Sequence, residues 1–490
     1  MDRVPYFYDK RVRMTKHLWF CFILACAPLC TVTARADDKP WNIIVILVDD
    51  LGWMDLTCQG SEFYRTPHID RLAATGMRFT DGYAACAVCS PTRAAMMTGR
   101  YPARLGITDW IRAEFQLRNR QGPSSHVEGY HDGGRALLTP VNQSFLPHKE
   151  LTIAELARQH QYKTCFIGKW HLGGKGYLPT DQGFDFNHGG WDYGQPPSYF
   201  DPYTNKRLQV GIPTLKPRQQ GEYLTDREAD IAVQFIADHK DQPFLLYLSH
   251  YAVHTPIQAK QDVTAKYQAD KDGQGQDNAA YAAMVESVDD AMGRIESTLA
   301  KHDLTDNTVV IFTGDNGGLD NNNNPTDNAP LRIGKGYAFE GGIRVPWIIR
   351  WPGVTQPASV STQPICSIDL FPTVAQLLGA KLPNDLAIDG IDLRPALEGK
   401  PLGNRSLFWH FPHYRHRRGR DPYSIIRQGK FKLIKFYDPP KLELYNLEDD
   451  LSEKTDLLAK MPAKAKALEL QLATHLSDIK ARLPIPKDKP

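Results

Sequence analysis

Four short apolar runs constrain the fold of this chain more than any other feature of its sequence. They are continuous rather than alternating, rich in β-branched residues, and separated by stretches with helical periodicity, which is the pattern of parallel strands buried on both faces. The runs lie at 42–48, 164–167, 244–249 and 308–313, and the helical stretches lie at 67–74, 153–160, 225–237 and 278–300. This alternation predicts an α/β fold in which helices flank a large, mostly parallel central sheet.

Polar residues follow each apolar run at the point where the strand should end. In an open parallel sheet the binding crevice lies at the carboxyl ends of the strands, so these segments are predicted to converge on one site. A solvated loop or a helix cap would explain any one of them alone, but four together favour a site. The segments are Asp49-Asp50, Gly168-Lys169-Trp170-His171, the stretch from His250 to His254, and Asp315-Asn316.

The pattern changes after about residue 400. Short alternating runs at 405–409, 424–427, 431–436 and 442–447 predict a small antiparallel sheet, and an amphipathic stretch over 462–482 predicts a terminal helix that packs against it. We therefore divide the chain into an N-terminal segment (1–36), a large α/β domain (37–400) and a C-terminal subdomain (401–490). Stretches rich in Gly, Asn and Pro at 120–135, 172–222 and 317–330 predict long loops.

The N-terminal segment has the composition of a signal peptide. Basic residues between positions 10 and 17 precede the apolar run 18–32, which is followed by Ala34-Arg35-Ala36. The run is shorter than the roughly 20 apolar residues of a membrane span, so we expect a mature chain without a transmembrane segment, exported to the periplasm or secreted. Lipidation at Cys26 is the alternative, because residues 23–26 resemble a lipoprotein cleavage site.

Charge and cysteine content narrow the function further. The chain has 58 Lys and Arg against 56 Asp and Glu, so its near-neutral balance offers no electrostatic basis for binding nucleic acid. Five cysteines lie beyond the predicted signal peptide, and an odd number in an exported protein suggests a thiol with a fate other than a disulfide.

The segment Cys89-Ser90-Pro91-Thr92-Arg93 carries the strongest chemical signal. Pro91 in a first helical turn, with good helix formers after it, places Cys89 at a helix N-terminus, where backbone N–H groups favour an anion. Arg93 adds a permanent positive charge whose planar fork suits a tetrahedral oxyanion. By itself, the segment is also compatible with a buried cysteine that caps an ordinary helix.

This segment, followed by Thr98-Gly99-Arg100, resembles the C-x-P-x-R signature of type I sulfatases, which are formylglycine-dependent members of the alkaline phosphatase superfamily. The resemblance continues in order from about residue 40 to 450 and includes Lys335 and the segment 340–346. It implies hydrolysis of sulfate esters. It also implies that a maturation enzyme oxidises Cys89 to formylglycine, whose hydrated aldehyde is the nucleophile.

The resemblance also implies a calcium site. Asp49, Asp50, Asp315 and Asn316 match the four protein ligands of the family's Ca²⁺, and the group formed from Cys89 completes the site. Carboxylate and amide oxygens are the hard donors that this ion prefers.

Further matches imply how sulfate is bound and protons are moved. His254, with Lys335, would protonate the departing alcohol, and Asp315 would activate one hydroxyl of the aldehyde hydrate. His171 would deprotonate the second hydroxyl so that the aldehyde re-forms and sulfate leaves, a step that a serine cannot perform. The residues that match these roles are Arg93, Lys169, His171, His254, Asp315 and Lys335, of which Lys169, His254 and Lys335 also bind substrate.

Two further segments, 106–110 and 409–414, resemble bacterial carbohydrate sulfatases. They suggest a substrate of galactose or N-acetylgalactosamine type, at the end of a sulfated polysaccharide. Trp409 and His413 are the predicted sugar contacts, since aromatic faces stack on sugar C–H groups and imidazoles bind hydroxyls. Packing of Trp409 within the C-terminal sheet is the alternative. The basic run 415–420 is either a contact for a polyanionic chain or a solvated loop.

Three other functions remain open from the sequence. The first is hydrolysis of aryl or other small sulfate esters, and the second is a phosphodiesterase or phosphonate hydrolase of the same superfamily. Lys335 and the segment 340–346 favour the sulfatase over the second. The third, a glycan-binding protein without catalysis, is disfavoured because Cys89 and the ligand and histidine positions are intact.

Overall fold

The computed structural model describes residues 39–116, 129–217, 219–269, 275–320, 325–414 and 421–487. The predicted signal peptide, Cys26 and the basic run 415–420 lie outside the described residues. Within those ranges, no helix combines the length and hydropathy that crossing a membrane requires.

The strands are β1 (Asn42–Val48), β2 (Met77–Phe79), β3 (Gly82–Tyr83), β4 (Tyr130–His131), β5 (Leu137–Pro140), β6 (Lys163–Gly168), β7 (Phe186–His188), β8 (Phe244–His250), β9 (Thr308–Gly314), β10 (Trp347–Arg350), β11 (Ser359–Ser361), β12 (Ile365–Cys366), β13 (Ser406–Phe411), β14 (Tyr423–Gln428), β15 (Phe431–Tyr437), β16 (Pro440–Asn446) and β17 (Ile485–Pro486). The helices are α1 (Pro67–Thr75), α2 (Cys89–Thr98), α3 (Pro102–Leu105), α4 (Ile153–Gln159), α5 (Leu224–Asp238), α6 (Gln261–Ala265), α7 (Ala279–Lys301), α8 (Glu340–Ile343), α9 (Leu370–Leu377), α10 (Arg394–Leu397) and α11 (Pro462–Asp478).

The largest sheet of the described residues has eight strands in the order β11-β2-β10-β9-β1-β8-β6-β7. Strands β9, β1, β8, β6 and β7 run parallel to one another, whereas β10 is antiparallel to both β9 and β2. This confirms the predicted large, mostly parallel sheet. The four apolar runs are the strands β1, β6, β8 and β9, each within one residue of its predicted bounds.

Burial on both faces explains why these runs are continuously apolar. Alternate residues of β1 belong to two separate hydrophobic clusters: Ile44 and Ile46 lie in one, Ile43 and Val45 in the other. The first cluster includes buried residues of α1, α5 and α7, and the second includes residues of α2, α4 and α9. Because helices cover both faces of the sheet, neither face needs polar residues.

The four polar segments begin at one edge of this sheet. In the parallel register, Val48 at the end of β1 pairs with His250 of β8 and with Gly314 of β9, and Gly168 of β6 pairs with Ser249. The strands therefore end side by side, and the residues that follow them emerge together.

The C-terminal residues form the predicted antiparallel sheet, in the order β13-β14-β15-β16. Leu468 and Leu472 of α11 are buried against Ile426 and Leu433 of this sheet, so the predicted terminal helix packs as expected. Pro40–Pro490 form one compact unit, and the boundary near residue 400 stays a prediction.

A buried charge cluster joins β15 to the large sheet's loops. Lys432 is fully buried, and its Nζ lies 2.9 Å from Glu340 Oε1 and 2.8 Å from Glu453 Oε1. Glu340 Oε2 also accepts a hydrogen bond of 2.6 Å from the Tyr83 hydroxyl. Lys432 thus pairs with two buried carboxylates, and Arg344 NH1 adds a second cation 3.3 Å from Glu340 Oε2.

We expect Lys432→Ala to lower the free energy of unfolding by about 3–5 kcal/mol, because it removes the cation that pairs with buried Glu453 and leaves Glu340 with Arg344 as its remaining ion-pair partner among the described residues. Lys435→Ala on the same strand is the matched control. Lys435 is 35% exposed and pairs with Glu469 at 2.8 Å, so its loss should cost less than about 1 kcal/mol. Urea unfolding followed by circular dichroism measures both, and equal small losses would contradict the role given to Lys432.

Candidate active site

The helix α2 presents Cys89 at the carboxyl end of the central strands. Val88 before it is extended (φ −143°, ψ 157°), Cys89 opens the first turn, and every residue of the helix is buried. Ser90 fixes this end, since its Oγ donates to the His171 carbonyl and accepts from the Ile111 N–H, both at 2.9 Å. The helix stops at Gly99, whose φ of 68° suits glycine.

Cys89 lies between the carboxylate of Asp49 and the ammonium group of Lys335. Its Sγ is 3.6 Å from Asp49 Oδ1 and 3.3 Å from Lys335 Nζ, and the residue is 3% exposed. Burial raises the pKa of the thiol to about 12. The encoded cysteine therefore stays protonated at neutral pH and is a poor nucleophile in this form.

Three carboxylates and one amide gather beside Cys89. Asp49, Asp50, Asp315 and Asn316 are all fully buried, and burial raises the pKa of Asp49 to about 8. Ligand atoms of Asp49, Asp50, Cys89 and His254 lie within 4.8 Å of one another.

Two oxygens of this acidic cluster are left without a partner. Asn316 donates through Nδ2 to Asp50 Oδ1 at 2.8 Å, while Asn316 Oδ1 and Asp50 Oδ2 find no hydrogen-bond partner among the described residues. Buried oxygens of this kind are costly unless a donor or a cation contacts them. The donor set therefore fits a hard divalent cation such as Ca²⁺.

Three cations surround the acidic cluster. Lys169 Nζ lies 2.6 Å from Asp49 Oδ2, and Lys335 Nζ lies 2.6 Å from Asp50 Oδ1. Arg93 Nε lies 2.8 Å from Asp315 Oδ2, and Arg93 NH1 donates to the Lys169 carbonyl at 2.6 Å. Arg93 NH2 has no hydrogen-bond partner in the described structure, so this nitrogen remains available to an anion.

His171 is a neutral, buried imidazole with one nitrogen available. Its Nε2 lies 2.7 Å from the Ile111 carbonyl oxygen, a contact that requires a proton on Nε2 and leaves the lone pair on Nδ1. Burial, followed by the charges of Lys169 and Arg93, holds the pKa of His171 well below its usual value. Nδ1 has no hydrogen-bond partner among the described residues and can accept a proton.

His254 lies on the other side of the acidic cluster. Its Nε2 is 3.5 Å from Asp50 Oδ2, and its Nδ1 is 2.9 Å from the Thr255 carbonyl oxygen. Burial lowers the pKa of His254 to about 3, although the Asp50 carboxylate opposes that shift. Its side chain is 13% exposed, so it borders the open space above the cluster.

A cavity of about 360 Å³ opens above these groups. Cys89, His171, His254 and Lys335 contribute to its lining, so four of the predicted site residues border one space. The sequence analysis had singled out the segment 106–110, which contains Trp110, but it missed the rest of the wall because those residues lie in segments with no periodicity and no strand end to mark them. The missed residues include Phe115, Gly194, Gln195, Pro196, Pro197, Asn205, Arg207 and Leu208.

Trp409 and His413 do not line this cavity, so its geometry does not support the prediction that they contact the sugar. Trp409 is 2% exposed, its Nε1 donates to the Ala84 carbonyl at 2.7 Å, and its ring packs edge-on against Tyr83. His413 is 6% exposed, with Nε2 at 2.7 Å from Thr108 Oγ1. Both side chains are buried where the C-terminal sheet meets the rest of the protein, so neither presents a face to a ligand.

Comparison with known proteins assigns the chain to a family. Residues 41–380 match the family model described as Sulfatase, and residues 333–482 match the one described as N-sulphoglucosamine sulphohydrolase, C-terminal. A sulfatase of Formosa agariphila is 33% identical, with 89% of this chain and 87% of that protein aligned. The N-acetylgalactosamine-6-sulfatase of Homo sapiens is 33% identical over 77% of this chain and 69% of that protein.

Solved structures agree with this assignment. The crystal structure of Ps i-CgsB has a TM-score of 0.75 at 30% identity, covering 89% of this chain and 93% of that one, and it has also been solved in complex with k-i-k-neocarrahexaose. The phosphonate monoester hydrolase of Agrobacterium radiobacter, at 21% identity and a TM-score of 0.60, shares the fold. The chain belongs to the sulfatase family, within the alkaline phosphatase-like superfamily. It is a sulfuric ester hydrolase, as its relatives are.

Proposed function

We propose that this enzyme is a formylglycine-dependent sulfatase that removes sulfate from a galactose or N-acetylgalactosamine type sugar of a polysaccharide. The observation that carries the proposal is the position of Cys89: a buried thiol at a helix N-terminus, between Asp49 and Lys335 at the base of a cavity. Such a thiol has little reactivity of its own, whereas an aldehyde hydrate at the same position would contact the same groups. A maturation enzyme is thus a necessary partner.

Asp49, Asp50, Asp315 and Asn316 would hold Ca²⁺, which when bound supplies positive charge to the sulfate oxygens. Lys169 and Lys335 each have further N–H groups besides those directed at the aspartates, and Arg93 NH2, 3.7 Å from Asp49 Oδ1, has no hydrogen-bond partner in the described structure. These donors would bind the sulfate group and stabilise the charge that develops on it.

The side chains around Cys89 would move the protons of the reaction. Asp315 would accept the proton of the attacking hydroxyl, which forms an O–S bond while the alcohol–sulfur bond breaks. A bound sulfate raises the pKa of nearby His254, so that its Nε2 can protonate the departing alcohol. His171 Nδ1 would then take the proton of the second hydroxyl, the aldehyde double bond would re-form, and sulfate would leave.

Two relatives support a galactose-type substrate. N-acetylgalactosamine-6-sulfatase is similar over most of this chain, and Ps i-CgsB has been solved with an oligosaccharide of the neocarrahexaose type. In this chain, the indole of Trp110 lines the cavity with its ring 6.5 Å from that of His171, where a sugar bound by its sulfate group could stack. Export through the predicted signal peptide would bring the enzyme to such polysaccharides.

A substrate panel tests this proposal. We expect the best sulfated galactoside or N-acetylgalactosaminide to exceed nitrophenyl sulfate in kcat/KM by about a hundredfold, because contacts to the sugar ring contribute binding energy in the transition state. Sulfated glucosamine and fucose derivatives are the sugar controls, and a phosphate diester tests the related chemistry. Hydrolysis of nitrophenyl sulfate without hydrolysis of any sugar sulfate would leave the small-ester alternative, and preference for the diester would reject the sulfatase assignment.

A further inference from the structure

Arg207 differs from the other cationic residues of the cavity. Lys169, Lys335 and Arg93 are buried and each contacts a carboxylate, whereas Arg207 is exposed. Within the part of the chain that the structure describes, no carboxylate lies within 4 Å of its guanidinium. The group instead lies over the Phe115 ring, 4.8 Å from the ring centroid, and both residues line the cavity.

The loop that carries Arg207 is fixed before any ligand binds. Asn205 Oδ1 accepts hydrogen bonds from the N–H groups of Arg207 and Leu208, both at 2.9 Å. Asn205 Nδ2 donates to the Pro197 carbonyl at 3.1 Å, which ties this turn to another wall of the same cavity. These hydrogen bonds hold the backbone at Arg207, so binding of an anion to its guanidinium does not require the loop to be ordered first.

Phe115 is held in a similar way. Its ring packs edge-on against Tyr193 at 5.8 Å between ring centroids, and Tyr193 is 6% exposed. Glu114, the residue before it, donates its backbone N–H to Asp192 Oδ2 at 2.7 Å. The stacked Phe115 ring covers one face of the guanidinium, while the N–H groups at its edge remain free to contact an anion.

We propose that Arg207, supported by Phe115, forms a second anion-binding subsite of the cavity. It takes a sulfate ester or a carboxylate on the sugar that neighbours the one losing its sulfate. The proposal rests on the proposed function, because it names the substrate class of the same site: a chain with anionic groups on successive sugars. The geometry supports this, since the cavity of about 360 Å³ is larger than a sulfate group needs and continues from Cys89 to Arg207. Two bound anions would also fix the register of the polysaccharide in the cavity.

Binding measurements on the inactive Cys89→Ala protein test the subsite with intact substrates. Titration calorimetry would use three disaccharides with the same reacting sulfate: one without a further anion, one with a second sulfate on the neighbouring sugar, and one with a carboxylate there. We expect Arg207→Ala to weaken the binding of at least one doubly anionic disaccharide about tenfold more than that of the singly sulfated one. The doubly anionic disaccharide whose binding is weakened identifies the anion that Arg207 binds. Lys206→Ala, a neighbouring exposed cation that does not line the cavity, is the matched control and should leave all three affinities unchanged.

The outcomes separate the two proposals. Equal losses for all three disaccharides in Arg207→Ala, or an equal change in Lys206→Ala, would overturn the subsite. The proposed function is tested separately by turnover of the singly sulfated disaccharide in the wild-type enzyme. Absence of that turnover would count against the proposed substrate, while the affinity ratios would still decide whether Arg207 recognises a second anion.

Discussion

Cys89→Ala is expected to reduce the hydrolysis of every sulfate ester by at least about ten-thousandfold, because an alanine has no thiol that can be oxidised to the aldehyde whose hydrate is the nucleophile. The fold should survive, since the substitution removes one sulfur whose contacts are with charged groups rather than with the hydrophobic core. Steady-state kinetics with nitrophenyl sulfate and circular dichroism measure the two effects. Cys165→Ala is the control: Cys165 is a fully buried core residue of β6, and its loss should lower stability while leaving activity in place.

The same mechanism also predicts the chemical state of residue 89 in the active protein. Peptide mass spectrometry of active protein made in its own host should find formylglycine at position 89. Cys89→Ser should allow at most one turnover per molecule, because a sulfated serine has no second hydroxyl through which sulfate can be expelled. An active sample in which Cys89 is entirely unmodified, or a Cys89→Ser variant with sustained turnover, would contradict the mechanism.

Removal of calcium is expected to abolish activity and to lower the melting temperature. Without a divalent cation, Lys169, Lys335 and Arg93 stay paired with Asp49, Asp50 and Asp315 instead of binding sulfate. The buried oxygens Asp50 Oδ2 and Asn316 Oδ1 also have no hydrogen-bond partner among the described residues, which costs stability. Chelation followed by dialysis should produce both losses, and added Ca²⁺ should reverse both. Full activity in protein shown to be free of metal would mean that these residues do not form a catalytic calcium site.

Asp315→Asn and Asn316→Asp form a matched pair of changes in neighbouring ligands. Asp315→Asn should lower kcat/KM by about a thousandfold, because it removes a charged ligand, the 2.8 Å ion pair with Arg93 and the proposed proton acceptor. Asn316→Asp keeps an oxygen at the proposed ligand position and should lower kcat/KM by about tenfold. Calcium titration calorimetry gives a readout independent of turnover, and the opposite order of losses would show that Asp315 has no role beyond coordination.

The residues that the sequence predicted best lie directly after buried strands. Asp49 and Asp50 follow the continuous apolar run of β1, and Asp315 and Asn316 follow β9, the strand that pairs with it. A strand buried on both faces can be recognised from its continuous apolar sequence, and parallel strands end at the same edge of the sheet. The residues that directly follow such strands could therefore be predicted to lie close together. Cys89 was equally accessible to prediction, since Pro91 and the helix formers after it mark a helix start.

Other parts of the site depend on contacts between distant segments. Trp409 was predicted to stack on a sugar, but its indole is buried and donates a hydrogen bond to the carbonyl of Ala84, 325 residues away in the chain. Arg207 lies over Phe115 because two loops without periodicity meet at the cavity. The sequence alone determined the large sheet and the start of the helix that carries Cys89, because each has a local signal. Only the tertiary structure decided which aromatic and cationic side chains face the substrate, because the exposure of a side chain depends on the segments that pack against it.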